Sequence, residues 1–512
     1  MSIFRHILLA FTVSVAALSL SACGGGQHKS YTMDYSVSID TVGRYLLVDL
    51  DLSMAPDSGP VTLNMPRWTP GYYEILDYSK HLCDFSATDS AGTAIEWEKS
   101  GLNRWTVTVP QDGRVKVSYR IYANQRDVGS SRVDGCLAFV SPAGVFMHVD
   151  GDLQHPVQVH FRLPEGWEKI SSGLLPMEGT TDSFEAEDFD RLYDCPFLLG
   201  NYYTCDFTHE GHPYHFAIET PDGIEESGFR EDFCSIVSAA TRLMGDVPYD
   251  NYCLIHLGEG GGGLEHRNSQ ACYTDGTYRF GNRERQVSFL GFTAHEYFHL
   301  YNVKCIRPAE LWPFNYDTEA VTPMLWVSEG LTCYYECRLL RTSGVATPEE
   351  SLGHLSGYFS RYAPYEGQRH MSLRQSSYDI WLNFMNDDAN EKDVRVNYYF
   401  KGPVVGLLMD IDIRRHTGHS KSLDDVMRGL YNTYYKKLQR GFTEDEFWQE
   451  VEKAYGGPVP HLRAIVNTTE DIDYNAFLLD AGLRTDTESW SIRMVEDPTP
   501  EQKVFLEQLD LI

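Results

Sequence analysis

Ser288-Phe-Leu-Gly-Phe-Thr-Ala-His-Glu-Tyr-Phe-His-Leu300 places two histidines four residues apart, with a glutamate beside the first: His295, Glu296 and His299. On an α-helix, positions i and i+4 lie one above the other on the same face, so both imidazoles can reach a single metal while Glu296 points into the same cavity. Metal-assisted peptide hydrolysis needs that arrangement. Phe289, Leu290, Phe292, Phe298 and Leu300 bury the helix among apolar neighbours. Two histidines and a glutamate buried together without a partner would be costly, and a metal ion supplies the partner.

A catalytic zinc takes three protein ligands and leaves the fourth position to water, so a third ligand is expected downstream. Glu329 is the choice. It lies in Met324-Leu-Trp-Val-Ser-Glu-Gly-Leu-Thr-Cys-Tyr-Tyr-Glu336, a second apolar segment of helical character in which a lone acid beside Leu325, Trp326, Val327 and Leu331 needs a reason. Asp317 and Glu319 compete for the role, but they sit in a polar run leading to Pro323 that reads as a solvated loop.

The run Gly258-Glu-Gly-Gly-Gly-Gly-Leu-Glu-His-Arg267 lacks the Lys-Ser or Lys-Thr that follows a phosphate-cradling loop, and its acids would repel an anion. Beside a zinc site, backbone without side chains lets a peptide lie alongside as an added strand, which makes Gly262, Gly263, Glu265 and His266 the candidate substrate-binding residues. The Glu265 carboxylate would hold a free α-amino group and restrict cleavage to chain ends.

Several separate motifs, in order, resemble one known family. They are Trp68-Thr-Pro-Gly-Tyr72, Gly262-Gly-Leu-Glu-His-Arg-Asn-Ser269, His295 to His299 continuing to Pro308, and Leu325-Trp-Val-Ser-Glu-Gly330. Together they are similar to the M61 glycyl aminopeptidases, zinc metallopeptidases of the gluzincin, thermolysin-like group, over about Tyr31 to Leu483. The resemblance implies a glutamate third ligand on a later helix, matching Glu329, and a preference for small amino-terminal residues. It also implies an oxyanion-stabilising tyrosine at Tyr399, in Tyr399-Phe-Lys-Gly402. Leu300-Tyr301 and Cys305 depart from the family pattern without touching a ligand. The stretch from Leu483 to Ile512 is too short for the PDZ domain that many members carry there.

Arg5 and His6 precede an apolar run from Ile7 to Leu20 that ends in Leu20-Ser-Ala-Cys23 and three glycines. The expectation is a bacterial lipoprotein signal over residues 1–22, a lipid on Cys23, a tether over 23–30, and an exported, membrane-anchored protein that is periplasmic or on the cell surface. A net charge of −30 argues against nucleic acid and anionic membranes as partners. Besides Cys23, ten cysteines remain without a CxxC pair, which argues against a cysteine zinc site; spacing assigns no disulfide pair, and buried free thiols are the default.

The expected fold is α+β. Alternating patterns such as Val48-Leu50-Leu52, and Trp105-Val107-Val109 followed by a Pro110-Gln-Asp-Gly113 turn and Val115-Val117-Tyr119, predict hairpins of an amino-terminal β-sandwich over 31–204. A mainly helical, thermolysin-like catalytic domain over 205–485 follows, with helix starts at Thr347, Ser422 and Thr443, and then a tail over 486–512 with a short terminal helix. The functional expectation is a peptidase with one Zn2+ per chain, acting on extracytoplasmic peptides as an aminopeptidase. The rivals are a zinc endopeptidase with the same site and a non-catalytic peptide- or glycan-binding surface lipoprotein.

Overall fold

The structure is a computed structural model that describes residues 31–56, 58–219, 226–273, 282–382, 391–486 and 488–512. The expected signal, Cys23 and tether lie outside the described residues.

Period-two alternation builds the amino-terminal half. Thr32–Asp40 and Tyr45–Ser53 pair antiparallel in a register that sets Met33 opposite Leu52, Tyr35 opposite Leu50 and Val37 opposite Val48. All six are buried, so one face of the sheet is core. These strands belong to a six-stranded sheet, and two four-stranded sheets complete a multi-sheet β region. The turn at Pro110 to Gly113 does not close a hairpin, contrary to the sequence reading. Arg104–Val107 pairs with Val61–Asn64 in one sheet, whereas Arg114–Tyr122 pairs with Tyr45–Ser53 in another, so the turn carries the chain between layers. Period-two patterning names the buried face of each strand but not its neighbour.

A five-stranded sheet follows, in the order Tyr203–His209, His212–Ile218, Tyr252–Leu257, Ser269–Tyr273, Gly263–Glu265. The boundary expected at 204/205 therefore falls inside a strand. The glycine-rich segment ends in the edge strand of this sheet, antiparallel to Ser269–Tyr273.

Helices make up most of the rest. Thr347, Ser422 and Thr443 each start a helix through a capping box, where the side chain at the start and the acid three residues on satisfy each other's backbone N–H groups. The helices Arg283–Phe298, Leu331–Thr342, Pro348–Tyr362 and Tyr398–Thr417 carry the site. The carboxyl end is built into this half. Leu483–Asp486 pairs with Ser491–Met494, so the expected 485/486 boundary splits a hairpin. The terminal helix Pro500–Gln508 buries Phe505 and Leu506, and the Leu509 carbonyl accepts from Arg341 Nε at 2.7 Å. All ten described cysteines are free thiols, and Cys195, Cys253, Cys272, Cys305, Cys333 and Cys337 are buried.

Candidate metal centre and cleft

The Arg283–Phe298 helix presents His295 and Glu296 from its last turn, and His299 caps it with its backbone N–H on the His295 carbonyl. Outer partners hold each imidazole by Nδ1. His299 Nδ1 meets the Asn302 carbonyl at 2.7 Å, and His295 Nδ1 meets Glu336 Oε2 at 2.7 Å. A carbonyl and a carboxylate can only accept, so both Nδ1 atoms carry protons and both Nε2 lone pairs point inward. The two Nε2 atoms face each other at 2.9 Å.

Glu329 completes the cluster from a single π-turn, Trp326–Gly330, that runs into the Leu331–Thr342 helix. Such an extra residue in a helix re-aims one side chain and recurs at functional sites. Its Oε2 lies 3.1 Å from His299 Nε2 and 3.7 Å from His295 Nε2. Three acceptors thus surround one point, and a cation is the group that suits them. Asn302 ties the two segments together by donating from Nδ2 to the Val327 carbonyl at 2.7 Å and to Thr332 Oγ1 at 3.0 Å. The competitor Asp317 is engaged elsewhere: Asn64, Asn103 and Arg104 donate to its carboxylate at 3.0, 2.8 and 2.7 Å. Glu319 is exposed.

Glu336 was not anticipated as a site residue. Besides His295, it accepts from His354 Nε2 and the Tyr358 hydroxyl, each at 2.6 Å. Against the upward push of burial, the bonds from His295 and His354 hold its carboxyl down to about 2. An acid at the end of an otherwise apolar helical segment was the available signal. Tyr73, next to the quoted Trp68–Tyr72 motif, was also missed, and its hydroxyl donates to Glu329 Oε1 at 2.8 Å.

Glu296 is buried, and its Oε2 has no hydrogen-bond partner among the described residues. Burial raises its carboxyl to about 7, partly offset by His295 and His299 and reinforced by Glu265 and Glu329. Glu265 comes close: its carboxylate, that of Glu296 and a His299 nitrogen all lie within 4.8 Å of one another. Glu265 is also buried, and its Oε1 has no hydrogen-bond partner among the described residues. A buried acceptor without a donor is costly unless a ligand supplies one.

His295 and Glu296 open onto a cleft of 1260 Å³ that Gly261, Gly262, Gly263 and Tyr399, among others, also line. The amino-terminal half braces the glycine run. The Gly261 N–H donates to the Arg126 carbonyl at 3.0 Å, and Arg126 Nη1 donates to the Glu259 carbonyl at 3.1 Å. Gly263 lies so near Glu296 and Phe292 that a β-carbon would sit 2.6 Å from the Glu296 carboxyl carbon. Tyr399 lines the cleft with its ring 6.3 Å from that of His295. Its helix meets the Glu329 turn where Gly402 and Gly330 touch, since a β-carbon on Gly330 would lie 2.8 Å from Gly402 Cα. His266 turns away from this group. Its Nδ1 meets Asp194 at 3.2 Å in a buried cluster with Lys304, so of the candidate substrate-binding residues it is the one the structure engages elsewhere.

Two protein-family models match this chain: the peptidase M61 N-terminal domain over residues 34–201 and the M61 glycyl aminopeptidase over residues 288–405. No curated protein sequence matches it. Among solved structures, an aminopeptidase N family protein from Idiomarina loihiensis is 27% identical, with a TM-score of 0.83, covering 89% of this chain and 79% of that one. An M1 zinc metallopeptidase from Deinococcus radiodurans, 14% identical, matches with a TM-score of 0.53 over 87% of this chain and 94% of its own. Aminopeptidase A of Legionella pneumophila, 13% identical, gives 0.53 over 86% of this chain and 50% of its own.

Proposed function

Because the chain belongs to the M61 glycyl aminopeptidase family and is a metallopeptidase of aminopeptidase type, we propose that it removes small amino-terminal residues such as Gly or Ala from extracytoplasmic peptides. His295, His299 and Glu329 are the residues that hold a zinc ion, which when bound supplies Lewis-acid polarisation of the scissile carbonyl. Glu296 takes the proton of the attacking water and passes it to the leaving amine, a task suited to a carboxyl group raised toward neutrality. Tyr399 donates to the developing oxyanion. The substrate lies along the Gly261–Gly263 wall of the cleft, where the absence of side chains lets its backbone approach closely.

Glu265 is the feature that favours exopeptidase action. A buried carboxylate with an unpartnered oxygen, within 4.8 Å of Glu296, suits a substrate ammonium group, and an ammonium there limits cleavage to the first peptide bond. The amino-terminal sequence pattern supports an exported lipoprotein anchored through Cys23.

A panel of free and N-acetylated peptides, incubated with and without chelator and read by mass spectrometry, tests this reading. Cleavage one residue from free amino termini, abolished by chelator, is expected. Internal cuts in N-acetylated peptides would assign an endopeptidase, and no cuts at all a binding protein. Glu265→Ala is expected to cripple cleavage of free-amine peptides. An equal rate for the parent and Glu265→Ala would remove Glu265 from amine recognition.

A further inference from the structure

The carboxylate ligand of the centre is held from both sides. Glu329 Oε2 faces the two imidazoles, at 3.1 Å from His299 and 3.7 Å from His295. Its Oε1 instead accepts from the Tyr73 hydroxyl at 2.8 Å. Both side chains are buried, Tyr73 at 1% and Glu329 at 2% exposure, so no bulk water competes for either oxygen.

Tyr73 belongs to the β region, 256 residues before Glu329. Its ring stands edge-on to Trp381 with centroids 6.1 Å apart. The loop that carries it is tied to the segment leading into the Glu329 turn: the Arg67 N–H donates to the Tyr316 carbonyl at 2.8 Å, and Trp68 Nε1 to the Asn315 carbonyl at 2.8 Å. The hydroxyl is therefore fixed in space by contacts from both halves of the chain.

We propose that Tyr73 is a positioning residue that keeps Glu329 a one-oxygen ligand, so that the amino-terminal β region completes the metal centre of the helical half. The inference rests on the metal reading above. A carboxylate beside a cation binds through one oxygen or through both, and what selects between them is whether the second oxygen has a better partner. With the Tyr73 hydroxyl present, Oε1 is satisfied and one coordination position stays open for water or substrate. Without it, Oε1 is a buried acceptor with no donor, and rotation about the last side-chain bond turns it toward the metal. Tyr72, its neighbour, lines the cleft instead, so the two adjacent tyrosines divide between substrate and ligand.

Tyr73→Phe removes a single oxygen and is compared with the parent and with Trp381→Phe, which alters the packing of the same ring but not its hydroxyl. Each full-length protein is stripped of metal and titrated with Zn2+ and with Co2+, and the unfolding temperature of each metal-free form is recorded. The expected result for Tyr73→Phe is a metal-free form as stable as the parent's and a roughly 10- to 100-fold weaker Zn2+ affinity. Its cobalt absorption should also be weaker, as it is when coordination rises above four. Trp381→Phe should keep the parent affinity and spectrum. A parent-like cobalt spectrum in Tyr73→Phe overturns the proposal whatever the affinity, and the same spectral change in Trp381→Phe overturns it by assigning the effect to packing. A parent that binds neither ion overturns the metal reading and this inference together.

Discussion

Gly263→Ala adds one methyl group to the wall opposite the proposed base. A β-carbon built there lies 2.5 Å from Phe292 Cζ and 2.6 Å from the Glu296 carboxyl carbon, whereas an ordinary contact begins at 3.4 Å. Relief requires a displacement of about 1 Å, and a misplacement of that size at a reacting group costs about 100-fold in rate. At about 1.4 kcal/mol per factor of ten, that is about 2.8 kcal/mol of transition-state stabilisation. The atoms that must yield are the far ends of two side chains and not backbone, so stability should fall little. Gly263 carries no left-handed backbone strain, which leaves the contact as the only cause. The assay is kcat/KM on a free-amine peptide, with zinc content and unfolding temperature measured on the same samples. Gly457→Ala is the control, because no described residue lies within 4 Å of its β-carbon position and it does not line the cleft. The expected pattern is a loss of about 100-fold for Gly263→Ala with parent zinc content, and a near-parent rate for Gly457→Ala. Parent activity in Gly263→Ala, or an equal loss in both variants, would refute the placement of Glu296 against this wall.

Gly402→Ala probes the crossing of two helices, where a β-carbon would meet Gly330 Cα at 2.5 Å. Backbone must move, so chemical denaturation should report a loss of about 1–3 kcal/mol, and zinc affinity should fall because Glu329 is next to Gly330. Asp194 bonds Lys304 at 2.9 Å and His266 at 3.2 Å, and although burial opposes ionisation, the Lys304 charge and the bond with His266 hold its carboxyl well below the usual carboxylate range. A depressed carboxyl stabilises the fold above its unfolded pKa of about 3.9, and that contribution is lost as pH falls toward the folded value. Asp194→Asn should therefore cost about 3–5 kcal/mol at pH 7 by leaving Lys304 buried and unpaired, with the gap to the parent narrowing below about pH 4 in denaturant titrations.

The local rules in the sequence account for a definite part of this molecule. His295, Glu296 and His299 were legible because helix geometry alone brings i and i+4 together, and the helix starts at Thr347, Ser422 and Thr443 because a capping box is closed within four residues. Glu329 was legible as an acid in an apolar segment, since burial without a partner is costly. The α+β class followed from periodicity in each half. Only the tertiary structure could decide the rest. Strand alternation does not say which strand lies beside which, so the Pro110–Gly113 turn read as a hairpin when it joins two sheets. Glu265 ends a strand and His266 follows it, and the chain sends one toward Glu296 and the other toward Asp194. The bond from Tyr73 to Glu329 spans 256 residues and depends on how the β region docks onto the helices. Local propensity and spacing act over a few residues, whereas that docking is set by burying side chains drawn from the whole chain.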